Sequence, residues 1–144
     1  MFKKNKGFTL IELLVVIAII GILASIVLVS LGGARTNAKD AAIKANMNSM
    51  RMAVEMFYTD ELTYADAMDA VTNPAYTVAY NALTPNLPTG GAVTDEINTA
   101  GTANTAYCIQ ADLNDGTDWC VDSTGYAGAT AVCDVATADC AADI

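Results

Sequence analysis

The sequence predicts an α+β protein: one long N-terminal α-helix, half transmembrane and half amphipathic, packed on a small antiparallel β-sheet head. Three observations carry this. Phe8 to Leu31 is an apolar run with a single charge, Glu12. Ala34 to about Tyr58 contains no Pro or Gly and repeats apolar residues at helical spacing. Two segments, Tyr107 to Leu113 and Asp118 to Asp122, alternate in polarity around a turn sequence.

The apolar run comes first. As a helix it spans roughly 36 Å, against a bilayer core of about 30 Å, so it crosses with some tilt. A secretory h-region is shorter, about 7–15 residues, and ends in a small-residue cleavage site. Here the small residues Ala24 and Ser25 lie inside the run. No cysteine is near residues 8–31 to take a lipid. A carboxylate near the edge of a membrane helix costs about 3 kcal/mol, which makes Glu12 a functional candidate whose partner has to be found.

Gly32-Gly33 follows as a weak joint, each glycine costing about 1 kcal/mol relative to alanine in a helix. Beyond it, Ile43, Met47, Met50, Val54 and Phe57 recur at spacings of four, three, four and three. They form one stripe, with Lys44, Asn48, Arg51 and Glu55 elsewhere, and the stripe packs against a sheet. The helix is expected from Phe8 to about Tyr58. Residues 59–104 read as a loop-rich connection, punctuated by Asn73-Pro74, Thr84-Pro85, Leu87-Pro88 and Gly90-Gly91. A short helix is expected at Asp66 to Val71 or at Val78 to Leu83. Tyr64, Tyr76, Tyr80, Leu83 and Leu87 pin the connection to the head.

In the hairpin, Tyr107, Ile109, Ala111 and Leu113 share one face, which covers the helix stripe. Asn114-Asp115-Gly116 makes the turn. Cys108 and Cys120 share the other, polar face, and their numbers are symmetric about Asn114. A third strand is expected near Thr130 to Val135. Four cysteines allow three pairings. The hairpin favours Cys108–Cys120, leaving Cys133–Cys140. A bridge closing a loop of about 15 residues is worth roughly 3 kcal/mol. Zinc is disfavoured, because the chain has no C-x-x-C pair and no histidine. Paired cysteines imply an oxidising compartment. That puts the head outside the cytoplasm and the N-terminal lysines inside, a choice the count of flanking bases does not make.

Charge is divided along the chain. All seven basic residues lie at or before Arg51, while fourteen of the sixteen acids lie beyond residue 52. That acidic segment disfavours binding to a nucleic-acid backbone. Asp112, Asn114, Asp115, Asp118 and Asp122 crowd the hairpin turn. They read either as turn formers on a wet surface or, through Asp112, Asn114, Asp115 and Asp118, as oxygen ligands for Ca²⁺. The spacing is not that of an EF-hand loop, and no other cofactor is expected. Arg35, Lys39, Lys44 and Arg51 make either a solvated face or partners for acidic heads of neighbouring subunits. An enzyme is not expected: there is no histidine and no Ser/Lys or Cys/His set.

Lys6-Gly7-Phe8-Thr9-Leu10-Ile11-Glu12, followed by the apolar helix, resembles the class III signal of type IV pilins and the related type II secretion pseudopilins. The resemblance implies the pilin fold and three parts: a leader, 1–7; a transmembrane and assembly helix, 8–31; and the rest of the helix with its head, 32–144. It implies cleavage after Gly7 by a membrane-embedded prepilin peptidase and N-methylation of the new amine on Phe8. Glu12 then pairs with that amine, either within its own helix at i, i+4 or in a neighbouring subunit. The chain departs from the family in having no proline in the later part of the apolar helix. Any melting on assembly would centre on Gly21 or Gly32-Gly33, or be absent. The implied partners are further copies of the chain, the peptidase, an inner-membrane assembly platform and minor pilins. The implied locations are the inner membrane for the precursor and a pilus or periplasmic pseudopilus after assembly. A pilus subunit for adhesion, motility or DNA uptake is expected. A secretion pseudopilin is the alternative within the family, and a single-pass membrane-anchored binding protein is the alternative of another class.

Overall fold

Helix α1 covers Leu10–Glu61, so helical character extends three residues beyond the expected end at Tyr58. In this computed structural model the described residues are 7–97, 104–129, 131–134 and 137–142. Residues 1–6 of the expected leader, and the ends of the expected third strand at Thr130 and Val135, lie outside them. Backbone contacts divide the chain into two units, Met1–Arg35 and Thr36–Ile144.

In the first unit the described apolar side chains are exposed; Leu10 is 82% exposed and Leu28 72%. The helix is long and apolar enough to cross a membrane, with a mean hydropathy of 3.1 in its most apolar stretch. Gly21, Gly32 and Gly33 stay helical.

The second unit is built on the stripe. Ile43, Met47, Met50 and Val54 are fully buried, and Phe57 packs against them half-buried. Helix α1 stops at Leu62, whose φ of 57° is left-handed and whose N–H reaches Tyr58 O at 2.8 Å. That is the usual C-terminal stop, made here without glycine.

Helix α2 runs Pro74–Leu83. It starts four residues earlier than the later of the two expected short helices, because Asn73-Pro74 is a cap and not merely a turn. Proline fits the first helical position, where an N–H has no partner anyway. The buried Asn73 accepts from Tyr76 N at 3.2 Å, and its amide donates to Ala53 O and Ala67 O at 3.1 and 2.8 Å. One side chain thus ties the connection to α1. Residues 66–71 form turns, not a helix. Tyr64, Tyr76 and Leu83 are buried, while Tyr80 and Leu87 pack against the core.

Four strands form an antiparallel sheet in the order β1 (Val93–Ile97), β2 (Tyr107–Asp112), β3 (Asp118–Asp122), β4 (Ala127–Ala129). A second sheet pairs β5 (Ala131–Asp134) with β6 (Asp139–Ala142). Strand β1 lies in the stretch expected to be loop, and β5 pairs with β6 instead of extending the hairpin. The tight turns after β2 and β3 place Gly116 and Gly125 at φ of 86° and 99°, which side chains resist.

Tyr107, Ile109, Ala111 and Leu113 are buried against the α1 stripe. The opposite face of the hairpin is not a wet surface, as its polarity suggested. Strands β5 and β6 pack against β2 and β3, and Cys108 and Cys120 are fully buried there.

The expected cysteine pairing is therefore corrected: the bridges are Cys108–Cys133 and Cys120–Cys140, with Cα separations of 5.6 and 5.9 Å. The register explains why. Cys108 faces Asp122 and Cys120 faces Gln110, so the hairpin is centred on Asp115 and the two cysteines are diagonal neighbours. Cys133 and Cys140 are opposite one another in the second sheet. Each bonds across to the first sheet, and the pair clamps one sheet onto the other.

Candidate functional site

The N-terminal end of α1 carries the only charge of the apolar run. Thr9 precedes the first helical residue, and Glu12 is the third. Thr9 N–H and Thr9 Oγ1 donate to Glu12 Oε2 at 2.9 and 2.8 Å, and Glu12 N–H donates to Thr9 Oγ1 at 3.3 Å. This is a reciprocal capping box, worth about 1 kcal/mol, which satisfies backbone donors that open any helix. With Gly7 still attached, the nitrogen of Phe8 is a peptide nitrogen, and the carboxylate is met by Thr9. Thr9 is the residue that the sequence reading passed over. Its signal was present: Thr-x-x-Glu at the start of an apolar run is the sequence form of this box.

Gly7 and Phe8 lie just before the helix, both exposed, and a Cβ on Gly7 would meet nothing within 4 Å. The bond between them stands open on the side that a side chain would otherwise occupy.

The acid-rich turn has a different arrangement from a ligand cluster. Asn114 is turned towards α1: its N–H and Nδ2 donate to buried Asp40 Oδ1 at 2.7 and 2.8 Å. Asp115 accepts from Thr117 N–H and Oγ1 at 2.9 and 2.7 Å. Asp112 and Asp118 face one another across β2 and β3. Asp112 Oδ2 accepts from Ala92 N at 2.9 Å, and Asp118 Oδ2 accepts from Gln110 Nε2 at 3.1 Å. Partial burial, then the charge of Asp112, raises the Asp118 carboxyl above the ordinary aspartate range. Hydrogen bonds from Thr117 hold Asp115 below it. Among the described residues, no group of three or more His, Cys, Asp or Glu side chains is placed to hold a metal ion.

The expected basic face is partly engaged within the head. Lys44 Nζ lies 4.6 Å from the centre of the Trp119 ring, a cation–π contact. Glu55 accepts from Tyr107 OH at 2.9 Å and Tyr64 OH at 3.2 Å. Burial and the adjacent Glu55 charge raise the Tyr64 hydroxyl to about 12. These groups join the second half of α1 to the sheet and the connection.

Comparison with known proteins bears on the same end of the chain. Residues 2–28 match the family model described as the prokaryotic N-terminal methylation motif. The chain is 36% identical over 117 residues to the type IV wide pilus major component PilA4 of Thermus thermophilus, covering 81% of this chain and 80% of that one. It is 38% identical over 63 residues to the type IV major pilin protein PilA of Myxococcus xanthus, covering 44% of this chain and 29% of that one. It is 33% identical over 85 residues to the type II secretion system core protein G of Escherichia coli, covering 54% and 59%. No solved structure gives a significant match.

Proposed function

The chain belongs to the type IV pilin family, and on that premise we propose that it is a prepilin cut after Gly7 and polymerised through its apolar helix. The observation that carries this is the position of Glu12. It is the one charge of the membrane-crossing run, it follows the Gly7-Phe8 bond by one helical turn in sequence, and among the described residues of the uncut chain it caps the helix through Thr9.

Cutting after Gly7 removes three lysines and creates an amine at Phe8, which is then methylated. Thr9 and Glu12 both remain. The carboxylate gains a cationic partner at the start of its own helix or of a neighbour's. Inside a shaft of apolar helices, an unpaired charge costs several kcal/mol. Subunits therefore settle where each Glu12 meets an amine, and this sets their axial register. The precursor sits in the inner membrane with its head outside the cytoplasm, and its partners are further copies, a prepilin peptidase and the assembly platform. The head is structural, and its part is to coat the fibre. The match over more than half of core protein G supports a secretion pseudopilus as a second destination for the same polymer.

The test separates cap from charge. Glutamine at the third helical position supports a capping box as glutamate does, yet it cannot neutralise an amine. Glu12→Gln should therefore insert, be cut and be methylated, but yield no filaments by electron microscopy of sheared cells. Glu12→Ala should behave the same way. Abundant normal filaments from Glu12→Gln would show that the cap alone suffices and would overturn the proposal.

A further inference from the structure

The two bridges are not independent. Cys133 and Cys140 sit opposite each other in the second sheet, Cys108 and Cys120 diagonally in the first. All four sulfurs are thereby gathered between the sheets. Across the two bridges, Cys120 Sγ lies 3.9 Å from Cys133 Sγ, which is contact distance for two sulfurs. Burial is unequal: Cys108 and Cys120 are fully buried, while Cys133 and Cys140 are partly exposed. An external reductant therefore meets Cys133 or Cys140 first.

From this geometry we propose that the cluster is a thiol–disulfide exchange centre, in which loss of either bridge moves the surviving one to Cys120–Cys133. Both routes balance. A dithiol reductant that attacks Cys133 Sγ expels the Cys108 thiolate, and closure of the reductant's own disulfide releases Cys133 as a thiolate. Cys133 then attacks the neighbouring Cys120 Sγ, the Cys120–Cys140 bond breaks, and Cys140 leaves as thiolate. If the reductant instead attacks Cys140 Sγ, Cys120 is expelled as thiolate, and closure of the reductant's own disulfide releases Cys140 as a thiolate. Cys120 attacks Cys133 Sγ, the Cys108–Cys133 bond breaks, and Cys108 leaves. In each route one bridge is reduced by the external dithiol, and the other is exchanged with no further oxidation or reduction. The two routes converge because the contact is between the exposed member of one bridge and the buried member of the other. The consequence is that β5, which carries Cys133, stays attached to β3, which carries Cys120, after either bridge is lost.

The experiment uses the full oxidised chain in detergent. A limiting amount of a water-soluble phosphine at about pH 3 opens one bridge while thiolates are absent, so exchange is frozen. The sample is then raised to about pH 8, where thiolates attack, and portions are alkylated over time. Non-reduced digests map the bridges by mass. The acid sample should contain Cys108–Cys133 or Cys120–Cys140 alone. After the rise in pH, a Cys120–Cys133 peptide should appear and grow, with Cys108 and Cys140 both alkylated. If the one-bridge chains keep only the two original pairings at the higher pH, the proposal is wrong. Cys108→Ser, which needs no reduction step, gives a second reading. Part of its single bridge should be Cys120–Cys133 with Cys140 free. A bridge found only as Cys120–Cys140, with Cys133 free, would likewise overturn it.

Discussion

Replacing Asp122 should cost the head a large share of its stability. Its side chain is 2% exposed and accepts four hydrogen bonds. Oδ1 takes Thr124 N–H at 2.9 Å, Thr124 Oγ1 at 2.7 Å and Tyr126 N–H at 3.0 Å; Oδ2 takes Cys140 N–H at 3.0 Å. One carboxylate thus holds the β3–β4 turn and the first residues of β6 together. A hydrogen bond to a charged group is worth about 1.5–3 kcal/mol net. Thr124 and Tyr126 are both exposed, so water replaces part of their three bonds. The remainder, with the bond to the half-buried Cys140, gives about 3 kcal/mol for Asp122→Ala. For a head of this size that lowers Tm by roughly 10–20 °C. Asp122→Asn keeps an acceptor at Oδ1 but turns an amide towards the Cys140 N–H, so it should lose about half as much. Burial opposes ionisation of Asp122, but the four hydrogen bonds outweigh it and hold the carboxyl below the usual range. A group with a depressed pKa stabilises above its unfolded value, about 3.9, and that contribution is lost as pH falls through the folded value. The gap between wild type and Asp122→Asn should therefore be full at neutral pH and shrink below about pH 4. Thermal unfolding of the oxidised chain in detergent, followed by near-ultraviolet circular dichroism, measures both. An Asp122→Ala variant melting within about 3 °C of wild type would refute this reasoning.

Two further substitutions test other parts of the head. Asp118→Asn removes a like charge from directly opposite Asp112 and should raise Tm at neutral pH by a few degrees, in line with about 0.2–1 kcal/mol for such cross-strand pairs. The raised Asp118 pKa means that the wild-type head loses stability as pH rises from about 4 through the folded value, so the gain should vanish in acid; an equal gain at all pH values would count against the pair. Leu62→Gly relieves the left-handed residue that ends α1. It should stabilise the head by about 0.5–1 kcal/mol, read as a higher denaturation midpoint in urea, whereas a lower midpoint would show that Leu62 packs usefully.

How much of this was legible follows from the range of the interactions. The α1 stripe, the apolar run and the hairpin rest on local periodicity, and Ile43, Met47, Met50 and Val54 lie where that periodicity puts them. Strand β1 was hidden, because Val93-Thr94-Asp95-Glu96-Ile97 has polar residues at its centre and is made a strand only by pairing with β2. Strand β4 was hidden too, since Ala-Gly-Ala has no strand preference of its own. The bridges failed for a further reason. Which cysteines meet depends on β5 and β6 folding over the hairpin, and the alternation rule stops at one sheet. At the candidate site, Glu12 stood out by charge in an apolar run. Thr9 does not stand out in the same way, because it meets Glu12 as a neutral helix cap and not as a cation. Asp40 could not be picked out, since its partner Asn114 is 74 residues away, and for Asn73 only the local cap to Tyr76 is readable, the bond to Ala53 spanning 20 residues.

The four-stranded sheet leaves β1 and β4 on its outside, and in a fibre that matters many times over. Unsatisfied backbone at a rim is an invitation to annealing, and a polymer holds its coat domains at very high local concentration. Here one rim carries Asp95 and Glu96 and the other is three residues long. Mutual repulsion and sheer brevity are the usual safeguards against amyloid-like zippering. The heads can be crowded side by side along a shaft and still remain separate objects.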